Sequence, residues 1–113
     1  MSGAAAGDGP APPPGWHMPP PGARVRQTVD RGPFVVQLRE DMGMGGCRLT
    51  RHRGAAATAF RVVGYDERSE VGLPCHVVHL EDERDGRAYV VDTGLMGPGL
   101  PPDAFTVEDA APA

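Results

Sequence analysis

The chain has no lysine, no isoleucine and no asparagine, and only six aromatic residues in 113. The three missing types share AT-rich codons. Their joint absence points to a GC-rich, bacterial coding sequence rather than to a selected property. Eleven arginines without a lysine therefore do not by themselves indicate nucleic-acid chemistry. Net charge is −4, which speaks against a general nucleic-acid or acidic-membrane binder. No apolar run approaches the length of a membrane span, and the amino terminus has neither the basic nor the apolar stretch of a signal peptide. A cytoplasmic location follows as the expectation. With two cysteines there, free thiols are expected rather than a disulfide.

Large apolar residues are scarce at both ends. Residues 1–22 are dominated by Ala, Gly and Pro, and residues 98–113 carry four further prolines. Neither stretch has the apolar content to offset chain entropy, so both are expected to be disordered. About seventy-five residues, 23–97, remain for one small domain, a size at which a single core is only marginally stabilising. A homodimer, or a protein partner that completes the core, is the corresponding expectation.

The charge that is present is unevenly spread. Residues 23–61 hold eight Arg against three acids, whereas residues 62–113 hold three Arg against eleven acids. Two oppositely charged halves lying side by side would neutralise each other.

What the sequence does contain is a series of short β patterns. Val25, Gln27 and Val29 alternate with Arg24, Arg26 and Thr28. Asp30-Arg31-Gly32-Pro33 has turn composition, and Phe34, Val36 and Leu38 then share one face of a second strand, which predicts a hairpin. Residues 41–46, with three glycines, read as a loop. Residues 47–53 read as the start of a short strand, Ala55 to Ala57 as a brief helix-favouring stretch, residues 58–65 as a third strand and residues 66–74 as a polar loop. The strongest pattern comes last: residues 75–80 and 87–93 are rich in β-formers and flank Asp85-Gly86, a pair suited to a tight primed turn. The expected fold is mainly β, a small SH3-like barrel or bent antiparallel sheet of about five strands with disordered termini.

Few groups point to chemistry. Asp92-Thr93-Gly94, behind Tyr89, Val90 and Val91, resembles the catalytic loop of aspartic proteases over about six residues. That mechanism needs two such aspartates sharing a proton, and the nineteen residues after Gly94 leave no chain for a flap. Cys47, His52, Cys75, His76 and His79 include zinc-ligand types. Neighbours in a strand point to opposite faces, and Cys75 and His79 would stand about 13 Å apart at about 3.3 Å per residue, too far for one tetrahedral ion. No metal and no cofactor are expected. Gly43-Met44-Gly45-Gly46 lacks the helix and the Lys-Ser or Lys-Thr ending of a phosphate loop. No Gly-x-Ser-x-Gly is present, and Cys47 with His52 is a pairing by sequence alone.

Arg48, Arg51 and Arg53, with His52 among them, form the one basic cluster, and guanidinium forks suit phosphate and carboxylate groups. Downstream, Glu67-Arg68-Ser69-Glu70-Val71-Gly72 resembles, in its Ser-x-x-Gly ending, the PilZ domains, β-barrels that bind cyclic di-GMP. Glu67 stands where that family has Asp or Asn, and the Arg spacing differs, so the resemblance implies only that a phosphate-bearing ligand is worth a test. A two-residue turn at Asp85-Gly86 would set His79 opposite Asp92, close enough for a cross-strand ion pair. The function expected from all this is a non-enzymatic binding or accessory module acting through protein contacts. The alternative is a small-ligand or nucleotide binder using Arg48, Arg51 and Arg53.

Overall fold

In the computed structural model, residues 11–28, 34–52, 58–70 and 72–109 are described. The Asp30-Arg31-Gly32-Pro33 turn, Ala55 to Ala57, Arg53 and the outermost parts of both termini lie outside them. Seven strands follow one another: β1 (Arg24–Gln27), β2 (Val36–Gly43), β3 (Gly46–Arg51), β4 (Ala59–Glu70), β5 (Leu73–Asp82), β6 (Ala88–Gly94) and β7 (Phe105–Asp109). All pairings are antiparallel, in the order β3-β2-β6-β5-β4-β1-β7. The protein is therefore mainly β as expected, and of the two expected forms it is the antiparallel sheet and not the closed barrel, with seven strands rather than about five. Among the described residues no helix is long and apolar enough to cross a membrane.

Alternation sorts the strands into two faces. Val25, Phe60, Val62, Val78, Leu80, Tyr89, Val91 and Val36 point inward and form one core with Leu100, Ala104 and Phe105. The sheet bends around this core far enough that Gln27, near the end of β1, donates from Nε2 to the carbonyl of Phe34, just ahead of β2, at 2.9 Å.

Three sequence expectations change here. The first is the hairpin between the first two strands. β1 pairs with β4 (Val25 opposite Phe60) and with β7 (Val25 opposite Val107), not with β2. The alternating pattern of residues 24–29 marks a strand but does not select its neighbour, and β4 and β7 offer β1 an aromatic and an aliphatic partner at Val25.

The second is the pair of loops. Residues 41–46 complete a hairpin in which Gly43 pairs with Gly46, and the turn residues Met44 and Gly45 take φ of 53° and 79°. Positive φ at both central positions is the primed turn that matches strand twist, and the surrounding glycines make it accessible. In place of a polar loop over 66–74, β4 runs to Glu70, pairs there with Leu73, and turns through Gly72 at φ 79°.

The third is the boundary of the domain. Residues 98–109 are integral, with Phe105 1% exposed and Leu100 fully buried. So are residues 11–22, the described part of the segment before residue 23. His17 and Leu100 exchange backbone hydrogen bonds of 2.9 and 2.7 Å, and Trp16 meets Phe34 edge to face at 5.6 Å. The described parts of these proline-rich segments pair with each other at His17 and Leu100, and the second adds Leu100, Ala104 and Phe105 to the core.

Tyr65 ties the first of these segments to the sheet, donating its hydroxyl to the carbonyl of Pro19 at 2.6 Å. Burial pushes its pKa up to about 12. The folded value lies above the unfolded one, about 10. This contribution to stability is therefore fully present below pH 10 and is lost as pH rises through about 12. A spectrophotometric titration is expected to show one tyrosine ionising near that upper value. Tyr65→Phe should remove it at a cost of about 1 kcal/mol.

The two charge halves do meet. Arg24 Nε lies 2.6 Å from Glu83 Oε2, Arg61 Nη2 lies 3.6 Å from the same oxygen, and Arg26 Nε lies 2.9 Å from Glu108. Each pair joins an arginine of residues 23–61 to an acid of residues 62–113. All are at the surface, so they contribute little stability individually.

Candidate functional site

The outer face of the sheet carries the candidate site. Where Val36 and Leu38 turn inward from β2, Gln37 and Arg39 turn outward, and their partners Arg51 and Leu49 on β3 turn outward with them. Val90 of β6 lies opposite Gln37, and Asp92 stands two residues further along on the same side. On β5, Val77 lies opposite both Asp92 and Asp66. The result is a hollow of about 60 Å³ lined by Gln37, Arg39, Cys47, Leu49, Arg68, Val77, Val90 and Asp92. Val77 and Val90 form its floor, being only 8% and 5% exposed although they face outward.

Two guanidinium groups border this hollow against one carboxylate. Asp92 already accepts from the backbone N–H of Gly94 through Oδ1 at 2.8 Å. The nearest carboxylate to Arg39 is Asp41, whose Oδ1 stands 4.0 Å from Nη2, beyond hydrogen-bonding distance. The Nε of Arg39 is buried with no acceptor among the described residues. A buried polar hydrogen without a partner is uncommon and needs an explanation.

Of the basic cluster expected from the sequence, two members are placed by β3 and the third is not described. Arg48 and Arg51 are three residues apart on β3 and so project to opposite faces. Arg48 engages Glu40 at 2.8 Å. Arg53 lies outside the described residues.

The expected opposition of His79 and Asp92 is also corrected. The β5–β6 hairpin is present, but its register sets His79 opposite Val90 and Val77 opposite Asp92. The cause is a longer turn. Asp82 N donates to the carbonyl of Arg87 at 2.9 Å, and Gly86 N donates to the carbonyl of Asp82 at 2.8 Å. The carboxylate of Asp82 accepts from Arg84 N, so the connection spans residues 83–86 instead of Asp85-Gly86 alone. His79 meets Asp66 of β4 instead, with Nε2 3.7 Å from Oδ2.

The five possible zinc-ligand residues are dispersed. His52 packs by its ring on Tyr89, His76 is buried beside Glu67, and Cys47 is exposed on the edge strand. Neither Cys47 nor Cys75 is in a disulfide. Among the described residues no three His, Cys, Asp or Glu side chains converge as a metal site. In the Asp92-Thr93-Gly94 segment, Thr93 donates its hydroxyl to the carbonyl of Gly97 at 2.8 Å, with the carbonyl of His76 3.3 Å away, so it closes the turn after β6.

The residues that sequence reasoning missed are Gln37, Arg39 and Arg68. The alternation around Val36 and Leu38 already sets Gln37 and Arg39 on the other face. Arg68 was hidden by the reading of residues 66–74 as a loop.

Fold and site together define a one-sheet, mainly β protein with a small, arginine-bordered hollow on its outer face. Neither the known protein families, nor curated proteins, nor solved structures include a match to this chain.

Proposed function

We propose that this protein is a non-enzymatic binding module that acts through protein contacts, made by the β2–β3 ribbon. The observation that carries this is the ribbon's isolation. β2 pairs with β6 only from Val36 to Leu38, so Arg39 onward is paired with β3 alone. All residues 41–51 are exposed, including Met42, Met44 and Leu49. A two-stranded ribbon unsupported by a third strand is marginally stable in water. Its outer strand, β3, stands at one end of the sheet order, with no further strand beside it among the described residues, and an edge strand is the template for strand addition.

The partner that fits is a second copy. A strand edge paired antiparallel with itself obeys a two-fold axis without any other requirement on shape. Such pairing would cover the exposed apolar side chains of a small domain whose own core is modest.

Sedimentation at micromolar concentration is expected to report a dimer. Leu49→Lys, which places a charge on the free edge, should return a monomer with a melting temperature within a few degrees of the parent. Leu73→Lys, equally exposed but on the other hairpin, should leave the dimer intact. A parent protein that is monomeric and melts cooperatively would sink the reading.

A further inference from the structure

We infer that the outer-face hollow is a recognition site for a single oxyanion, a carboxylate or phosphate group held between Arg39 and Arg68. The inference does not require the ribbon to pair, although Leu49 belongs both to the free edge and to the lining of the hollow. It starts from the buried Nε–H of Arg39, which has no acceptor among the described residues. Leaving such a donor unmet is costly, and none of the described residues supplies its acceptor. Arg39 and Arg68 both line the same hollow, and an oxyanion accepts from guanidinium groups through charge-assisted bonds stronger than those of water. Gln37, also lining it, supplies an amide N–H₂ that can donate to a further oxygen.

Size and lining limit the ligand. At about 60 Å³ the hollow admits one oxyanion head, whereas pockets that enclose a whole nucleotide or cofactor run to roughly 300–1,000 Å³. The apolar floor of Val77 and Val90 excludes bulk water beneath the anion and strengthens the interaction with each guanidinium. Asp92 sits in the same lining and opposes a bound anion, so it sets an upper limit on affinity. Its Oδ1 is already engaged by Gly94 N, which holds the carboxylate in the turn after β6. This arrangement replaces the cluster of Arg48, Arg51 and Arg53 as the anion site, because Arg48 is spent on Glu40 and projects to the opposite face.

The test titrates the full chain, at constant ionic strength, separately with inorganic phosphate and with acetate. The readouts are the Arg Nε–H and the Val90 and Asp92 backbone amide signals in ¹H–¹⁵N spectra. Saturable shifts at Arg39 are expected, and the relative affinities of the two probes tell phosphate from carboxylate. Arg39→Gln and Arg68→Gln should each weaken binding about tenfold, because each removes a charge-assisted donor. Arg48→Gln should change it by less than about twofold, as a surface charge outside the hollow. Asp92→Asn should tighten binding several-fold. Non-saturating shifts, or equal losses in Arg48→Gln and Arg39→Gln, would overturn the assignment. Binding that appears only in Asp92→Asn would overturn it too, since Asp92 would then be the hollow's own counter-ion.

Discussion

A chain ended at Gly97 is expected to lose its cooperative thermal transition altogether. The cut removes β7, and with it the outer partner of β1 from Arg24 to Gln27. It also removes Leu100, Ala104 and Phe105 from the core, each at most 6% exposed. Truncating one buried Phe or Leu to Ala typically costs about 2–5 kcal/mol, and a domain holds only about 5–15 kcal/mol in all. Losing both side chains outright, together with the His17–Leu100 bridge and the bond from Thr28 N to the carbonyl of Ala104, exhausts that margin. Circular dichroism melts check the outcome. Phe105→Ala in the full chain provides the graded comparison, expected to stay folded with a loss of about 3–5 kcal/mol. A truncated chain that melts within a few degrees of the full one would show that the last strand is an accessory. The same physics reverses the simple inference from composition, by which both proline-rich ends look removable.

Phe60→Ala is expected to cost about 3–5 kcal/mol, as large an effect as that of Phe105→Ala. Phe60 is fully buried on β4, where it lies opposite Val25 of β1 and Asp82 of β5. Its ring stands edge-on to Tyr89 at 5.2 Å and to His52 at 6.1 Å, so it links the centre of the sheet to the segment after β3. Such aromatic pairs add about 0.5–1.5 kcal/mol beyond the area they bury. Removing the ring therefore leaves a cavity that two other rings also border. In urea the midpoint should fall by roughly 1–3 M at an unchanged slope, given slopes of about 1–3 kcal/mol/M for small proteins. Phe60→Leu, which keeps most of the volume, should recover more than half of the loss. A midpoint unmoved by Phe60→Ala would mean that the β1–β4 seam is not part of the cooperative unit.

Much of the secondary structure was legible in the residues. The run from Phe34 to Arg39 alternates visibly, and the pair of β-rich stretches around Asp85-Gly86 forms adjacent strands as read. Register was less so, because it depends on how the turn closes. The carboxylate of Asp82 captures Arg84 N, the connection lengthens, and the pairings from Val77 to Glu81 along β5 slide by two residues on β6. A shift by two keeps each side chain on its face but changes its neighbour, which is why the hairpin itself was legible while the partner of His79 was not. Turn chemistry also misled at residues 41–46, where glycine density signalled a loop and in fact served a tight hairpin.

The sequence by itself determined the class of this protein: a mainly β chain with strands set by local alternation and bounded by Gly, Pro and Asp turns. Those signals are short-range, each residing within a few neighbouring residues. The tertiary structure alone decided that β1 lies between β4 and β7, that both proline-rich segments close the core, and that Arg39 and Arg68 border one hollow. Such outcomes depend on which faces can be buried together across long stretches of chain. Arg39 and Arg68 lie on strands three places apart in the sheet order, with β6 and β5 between them, and no local pattern encodes that distance.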